Sequence, residues 1–334
     1  MKTYEFGIVG WGFAGMAHAR AIANNPRTHL KAVCTRDPQR LRQAAAEYGV
    51  SHTTSDYAQL LAARPDVVVV CTPDHLHTAY AVAALEAGLN VLCEKPLVTD
   101  LGEARRLVSL VRETGKTFMT GQCARYFVRS ALARAMVDQG DLGRLFFAEA
   151  DYLHDAEEFM RDWRIDPVAP QNMILGGGCH PVDLLRWLVG NVAEAHAFAN
   201  KLAFSETNPI EHDCVLMSLK FESGAIGKVL VTVGCKRPYS LGISLYGDRG
   251  TLVDERLFLA RIPGLHDFMP VPVGHHSHDE NPIFEYQLAH LVECLDDGRQ
   301  PAADVVEGTR TVATCLAAVE SVKTGKVVRV YNEF

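Results

Sequence analysis

The chain contains no Cys-x-x-Cys pair, no excess of positive charge, and no apolar run approaching the ~20 residues of a membrane span. Its nine cysteines are scattered and odd in number, so they read as buried thiols and not as a disulfide framework or a zinc site. A formal charge of −7 excludes a general grip on nucleic acid, which calls for a clustered basic face. The missing apolar run excludes a membrane span. A signal peptide's charged, apolar and cleavage regions are also missing, since the N-terminus runs straight into Tyr4-Glu5-Phe6-Gly7-Ile8-Val9. The cytoplasm is the expected compartment. Three histidines cluster at His275, His276 and His278, beside Asp279, Glu280 and Asn281. Neighbours on an extended backbone do not converge easily on one ion, so this segment reads as a polar loop and no metal is expected.

What is present is a globular chain of 334 residues, 48% apolar and 22% charged, long enough for two cores. Strand patterns at 4–10, 29–35, 67–72, 90–93 and 117–120 alternate with helical patterns at 14–24, 38–48, 56–63, 75–87 and 100–114. That alternation predicts a doubly wound parallel sheet in a first domain, 1–123. After Gly121 the pattern changes. A helix at 129–139 and a strand at 145–153 lead through Gly176-Gly177-Gly178 to consecutive strands at 192–201, 212–221, 225–235, 239–247 and 251–259. Helices at 282–296 and 304–323 precede a closing strand at 327–331. The second domain, 124–334, is therefore expected to be α+β with a mostly antiparallel open sheet. The sequence offers no element to cover that sheet's open face, so a partner subunit is expected there, giving a homodimer or homotetramer.

Gly10-x-Gly12-x-x-Gly15 follows the first strand and opens the first helix. In that setting the glycines permit a tight turn and close backbone approach, and the helix N-terminus meets a pyrophosphate. Gly10, Gly12, Phe13, Ala14 and Gly15 are the expected phosphate loop. The next strand ends at Thr35-Arg36-Asp37-Pro38. An acid at its end would read the 2′-OH of NAD, whereas an arginine accommodates the 2′-phosphate of NADP. Thr35 is neutral and Arg36 follows it, which favours NADP over NAD. Asp37 either opposes that phosphate or caps the helix that Pro38 begins. In Cys71-Thr72-Pro73-Asp74-His75-Leu76-His77, Thr72 and Pro73 should lie along the cofactor, with His77 near it. Ligands bind at the carboxyl ends of strands in such sheets, so Glu94-Lys95-Pro96 should face the same crevice, with Glu94 and Lys95 against the cofactor.

Taken together, the glycine loop, Cys71 to His77, Ala87-Gly88 through Glu94-Lys95-Pro96, Trp163-Arg164 and Gly178-Cys179-His180-Pro181-Val182-Asp183 resemble the glucose–fructose oxidoreductase / inositol dehydrogenase family, written Gfo/Idh/MocA. Gly247 to Leu252 and Glu320 to Lys326 extend the resemblance over essentially the whole chain. It implies NAD(P)-dependent oxidation or reduction of a sugar, inositol or related polyol by a dimer or tetramer. It places the family's lysine on Lys95 and its catalytic histidine on His180. Many members carry an aspartate four residues before that histidine, where this chain has Gly176.

The residues suit that chemistry. His180 stands where a glycine-flanked helix begins, with Pro181 expected at its first position and Asp183 in its first turn; the helix end favours a neutral imidazole, fit for a general base. Lys95 can hydrogen-bond the reacting oxygen and hold it at the nicotinamide, with Glu94 orienting it. Arg125, Tyr126, Trp163, Arg164 and Asp183 are the candidates for lining the substrate cleft. Two other readings use the same scaffold: a nucleotide-sensing regulator without turnover, and a lyase or glycosidase that recycles its cofactor. Retention of both Lys95 and His180 weighs against the sensor.

Overall fold

Eleven elements alternate along the first 120 residues of the computed structural model, which describes residues 2–166, 170–272 and 282–334. They are β1 (Tyr4–Val9), α1 (Phe13–Asn24), β2 (Thr28–Cys34), α2 (Pro38–Tyr48), β3 (His52–Thr54), α3 (Tyr57–Ala62), β4 (Val67–Val70), α4 (His77–Glu86), β5 (Asn90–Cys93), α5 (Leu101–Thr114) and β6 (Phe118–Thr120). The strands form one parallel sheet in the order β3-β2-β1-β4-β5-β6. That order reverses between β1 and β4, the position where doubly wound sheets open a ligand crevice at their carboxyl edge. The four consecutive valines of β4 are buried on both faces, as a central parallel strand requires. Helix ends follow local chemistry. Asp37, Asp56 and Asp100 accept backbone N–H bonds at the starts of α2, α3 and α5, and left-handed Gly49 and Gly115 close α2 and α5. Asp37 is thus a cap. The strand β3 escaped the sequence pattern because it is three residues long and polar, His-Thr-Thr.

The remaining elements are α6 (Val128–Asp138), β7 (Leu145–Leu153), α7 (Met173–Gly176), α8 (Cys179–Val189), β8 (Val192–Asn200), β9 (Cys214–Phe221), β10 (Ile226–Thr232), β11 (Ser240–Gly247), β12 (Gly250–Val253), β13 (Arg256–Leu259), β14 (Met269–Pro270), α9 (Ile283–Asp297), α10 (Val305–Thr324) and β15 (Val328–Arg329). A nine-stranded sheet runs β14-β13-β12-β11-β7-β10-β9-β8-β15, antiparallel at every pairing but β7–β10. The expected strand 251–259 is two strands, β12 and β13. Asp254 takes φ +50° and turns the chain back with Glu255, so Val253 pairs with Arg256.

Val215, Met217, Leu219 and Phe221 of β9, and Val229 and Val231 of β10, lie on the buried face of this sheet, against which α8 packs. The alternate residues form the open face. There Phe198, Leu216 and Leu230 stand in one cross-strand row, and Ile226, Phe147 and Tyr246 in another.

The chain divides into two compact units, one of residues 1–123 with 282–309 and Phe334, the other of residues 124–281 with 310–333. The first unit thus includes α9, which packs on α1.

Candidate active site

The glycine loop of the first unit has the shape of a phosphate cradle. Gly10 has φ +94°, and a Cβ on it would stand 2.3 Å from the Cys71 carbonyl oxygen, so the turn from β1 passes directly beside the turn from β4. A Cβ on Gly15 would lie 2.2 Å from the Gly10 carbonyl oxygen, which holds α1 tightly under the turn. At Gly12 the opposite holds: nothing comes within 4 Å of a Cβ position. Gly12 is also the N-cap of α1 and brings no side chain to the helix N–H groups. An open space above a helix start with free donors fits the pyrophosphate of a dinucleotide. The exposed Phe13 and half-buried Ala14 lie on this first turn. Beside Gly10, the Thr72 hydroxyl is buried with no hydrogen-bond partner among the described residues, a polar group awaiting a ligand.

At the end of β2, Thr35 is half-buried and Arg36 is exposed. The Asp37 carboxylate is engaged by the N–H groups of Gln39 and Arg40 and lies 3.4 Å from the Arg40 guanidinium. Arg40 also donates to the Trp11 carbonyl at 3.1 Å, tying α2 to the glycine loop.

His77 and Glu94 need correction as cofactor contacts. His77 is 1% exposed, with Nδ1 2.7 Å from the Pro96 carbonyl and Nε2 2.9 Å from that of Thr72. Each ring nitrogen lies within hydrogen-bond distance of a backbone carbonyl, so the His77 ring bridges the turn after β4 and the turn after β5. Glu94 points inward. Its Oε1 lies 2.8 Å from His18 Nε2, and its Oε2 accepts the Lys95 backbone N–H at 3.3 Å. Burial pushes the Glu94 carboxyl up, but the hydrogen bond and charge of His18, with the charge and N–H of Lys95, hold it below its ordinary value. Lys95, half-buried and followed by a cis bond to Pro96, is thus fixed by a carboxylate on one side and a bridged carbonyl on the other. Burial, with the Glu94 charge next, pushes the Cys71 and Cys93 thiols well up, so neither is a nucleophile here.

His18 was not anticipated. Its signal is positional: Gly15, His18, Ala19 and Ile22 share the buried stripe of α1, and a histidine there requires a partner.

In the second unit, His180 is 5% exposed and does not cap its helix. Gly178 is the N-cap of α8, and the turn of α7 leads into it with Gly178 N–H bonded to the Met173 carbonyl and Val182 N–H to that of Gly178. The helix-end argument for a neutral imidazole therefore lapses, and Pro181 is two places past the first helical position. What flanks His180 is aromatic. The Tyr152 ring stacks on it at 6.0 Å and 11°, and Tyr152 in turn meets Tyr239 and His154 edge-on. Burial holds the His154 imidazole below its ordinary value, against the Asp155 charge. Tyr152, His154 and Tyr239 escaped the sequence reading because they lie on a strand and a strand approach with no local motif.

Arg125 and Asp183 also need correction. They are 4% and 0% exposed and bind each other bidentately, both bonds 2.7 Å. Asp183 further accepts from Thr311 at 3.0 Å, and Arg186 donates to Thr311 and Asn191. This network fastens α8 to α10, and both charges are spent inside it. Tyr126 is half-buried beside Arg125. Trp163 and Arg164 stack on each other at 4.7 Å, both half-buried. Among the described residues no group of three or more His, Cys, Asp or Glu side chains is placed to hold a metal; His275, His276 and His278 lie outside the described residues.

The chain matches two family models: an oxidoreductase family with an NAD-binding Rossmann fold over residues 4–122, and a Gfo/Idh/MocA C-terminal domain over residues 130–253. It belongs to the Gfo/Idh/MocA family. As a Gfo/Idh/MocA protein it is a nicotinamide-dependent oxidoreductase of CH–OH groups, which bears out the resemblance carried by the motifs. It is 28% identical to the levoglucosan dehydrogenase of Pseudarthrobacter phenanthrenivorans over 295 residues, 76% of this chain and 74% of that protein. It is also 28% identical to inositol 2-dehydrogenase 2 of Saccharopolyspora erythraea over 338 residues, 98% and 96% of the two chains. Among solved structures, an oxidoreductase domain protein from Kribbella flavida superposes with a TM-score of 0.90 at 26% identity, covering 99% of this chain and all of that one. A levoglucosan dehydrogenase in complex with NADH and levoglucosan shares the fold, with a TM-score of 0.89 at 23% identity over 99% and 100% of the chains. No helix of the described residues is long and apolar enough to cross a membrane.

Proposed function

We propose that this Gfo/Idh/MocA oxidoreductase moves a hydride between nicotinamide and a secondary hydroxyl or carbonyl of a sugar, inositol or related polyol, with the first unit (residues 1–123 and 282–309) serving the cofactor and the second (residues 124–281 and 310–333) the substrate and assembly. The observation that carries this reading is Lys95, held at the carboxyl edge of the sheet between Glu94 and the His77 bridge, on the same edge as the glycine cradle. Oxidising a secondary alcohol removes a proton from oxygen and a hydride from carbon. The bound nicotinamide supplies the hydride acceptor. His180 takes the hydroxyl proton, and the Lys95 ammonium donates to the same oxygen and stabilises its growing negative charge. Both relatives named above act, by their names, on polyhydroxylated rings, and the aromatic surface of Tyr152 beside His180 suits the apolar face of such a ring.

Thr35 and Arg36 read the adenosine ribose, and NADP is the preferred cofactor. The Asp37 carboxylate supports this, because its bonds to the α2 N–H groups and Arg40 keep it occupied, while Arg36 is exposed at the strand end. A panel of sugars and polyols with each cofactor, followed at the reduced-nicotinamide absorbance, tests the reaction: a dehydrogenase accumulates reduced cofactor, whereas a lyase or glycosidase turns over without it. NADP should bind more tightly than NAD, and Arg36→Ala should erase the preference. Tighter NAD binding with a ratio indifferent to Arg36→Ala would overturn the cofactor assignment.

The open face of the nine-stranded sheet is covered by a second copy. Phe198 and Ile226 are 66% and 56% exposed there, and Leu216 40%, an apolar surface that an isolated unit would leave in water. Sedimentation at micromolar concentration is expected to give a dimer or tetramer, and a monomer would refute this. Nine free cysteines fit a reducing compartment, the cytoplasm.

A further inference from the structure

Gly176 lies four residues before His180, one helical turn back along nearly continuous backbone hydrogen bonds: Gly176 N–H to the Asn172 carbonyl, Gly177 and Gly178 N–H to that of Met173, His180 N–H to that of Gly177. Residues spaced i and i+4 on such a path share one face, so a side chain at 176 would stand next to the imidazole. The chain supplies none. The space is filled from outside the helix: a Cβ on Gly176 would meet Gln171 Cδ and Nε2 at 2.7 Å each, and Cγ at 3.0 Å.

The backbone that carries this side chain is fixed on both sides. The Gln171 N–H binds the Arg164 carbonyl at 2.9 Å, and the next residue, Asn172, caps α7 through the N–H groups of Ile174 and Leu175. On the adjoining side, the Tyr152 ring lies 3.2 Å from a Cβ position on Gly177 and stacks on His180. His180 is therefore bordered by an aromatic ring and by the face that Gln171 covers.

We propose that the Gln171 carboxamide is a substrate-binding group that takes the hydroxyl adjacent to the reacting carbon, and that Gly176 is the residue that admits it. This rests on the polyol reading above. A hydroxyl both donates and accepts, and a carboxamide offers it both partners, whereas a carboxylate only accepts. The amide also has no proton to exchange with His180 at neutral pH. The pair Gly176–Gln171 thus recognises a neutral vicinal diol: one hydroxyl reacts at His180 and its neighbour is bound by Gln171.

The test uses full-length protein and the polyol turned over fastest among D-glucose, levoglucosan and myo-inositol. Gln171→Met keeps the bulk and removes the hydrogen bonds. It should raise KM by about 3–10-fold, the worth of one such bond, with kcat little changed. Gly176→Ala should reproduce that rise, because its methyl group displaces only the flexible end of Gln171. The double variant Gly176→Ala/Gln171→Met should be no worse than either single one. The NADPH dissociation constant, read by fluorescence, should be the same in all of them. A wild-type KM in Gln171→Met, or additive effects of the two substitutions, overturns the proposal. If the wild-type protein turns over none of the three, the polyol reading itself has failed and this inference falls with it.

Discussion

His180→Ala is expected to lower turnover on a polyol by about 10²–10⁴-fold, the usual cost of removing a general base, and to leave the NADPH dissociation constant nearly unchanged. Lys95→Ala is expected to produce a loss of the same order. On the mechanism proposed above, in which both groups act on one oxygen, the double variant is expected to fall far short of the product of the two: once one is gone, the other stabilises a transition state that is already poorly reached. Stopped-flow measurement of the hydride step separates this from slow product release. Multiplicative losses in the double variant would mean that the two residues serve different steps, and the shared-oxygen mechanism would be discarded. A His180→Ala enzyme with full turnover would remove His180 from the chemistry altogether.

Asp183→Leu is expected to strike stability and not substrate binding. It strands the Arg125 guanidinium, 4% exposed, with its bidentate partner gone. Breaking a buried pair on one side costs about 3–5 kcal/mol. For a unit of this size that corresponds to a fall in melting temperature on the order of 10 °C. Arg125→Met in the same background should recover much of the loss, since an apolar pair of similar volume removes the uncompensated charge. Thermal denaturation of the single and double variants measures both effects. A normal melting temperature with a raised KM in Asp183→Leu would return Asp183 to the substrate cleft and defeat the structural assignment.

The fold was legible where periodicity and punctuation agreed. The valine run 67–70, the Asp-capped helices and the glycine closures at Gly49 and Gly115 all speak through neighbouring residues, and they fall where the pattern puts them. The hairpin at Asp254 did not, because a left-handed aspartate carries no mark that separates it from a strand residue. The tight glycine turn between β1 and α1 was legible for the same local reason. What sequence could not supply was the partner of each polar group. Arg125 read as a cleft residue because a guanidinium beside an aromatic ring suits hydroxyl groups, and Asp183 because it follows His180 by three positions; they are 58 positions apart and satisfy each other. His77 lies 19 positions from the carbonyl that fixes it, and His18 lies 76 from Glu94. Side-chain partnerships at such separations are set by topology, which a linear pattern does not encode.

The return of residues 282–309 to the first unit has a consequence for how that unit is made. The backbone of β6 is completed by this late segment: Thr120 N–H binds the Ala303 carbonyl at 2.7 Å, and Phe118 N–H binds the Gln300 side chain at 3.0 Å. At the opposite side of the chain's history, Tyr4 and Arg27 bind Asp296. During synthesis the nucleotide-binding half therefore waits, with one sheet margin unsealed, until most of the polypeptide has left the ribosome. A gene fragment ending at Cys123 would carry the whole glycine motif and yet present a bare strand to other chains, a template for self-association. The binding half is encoded first and finished last.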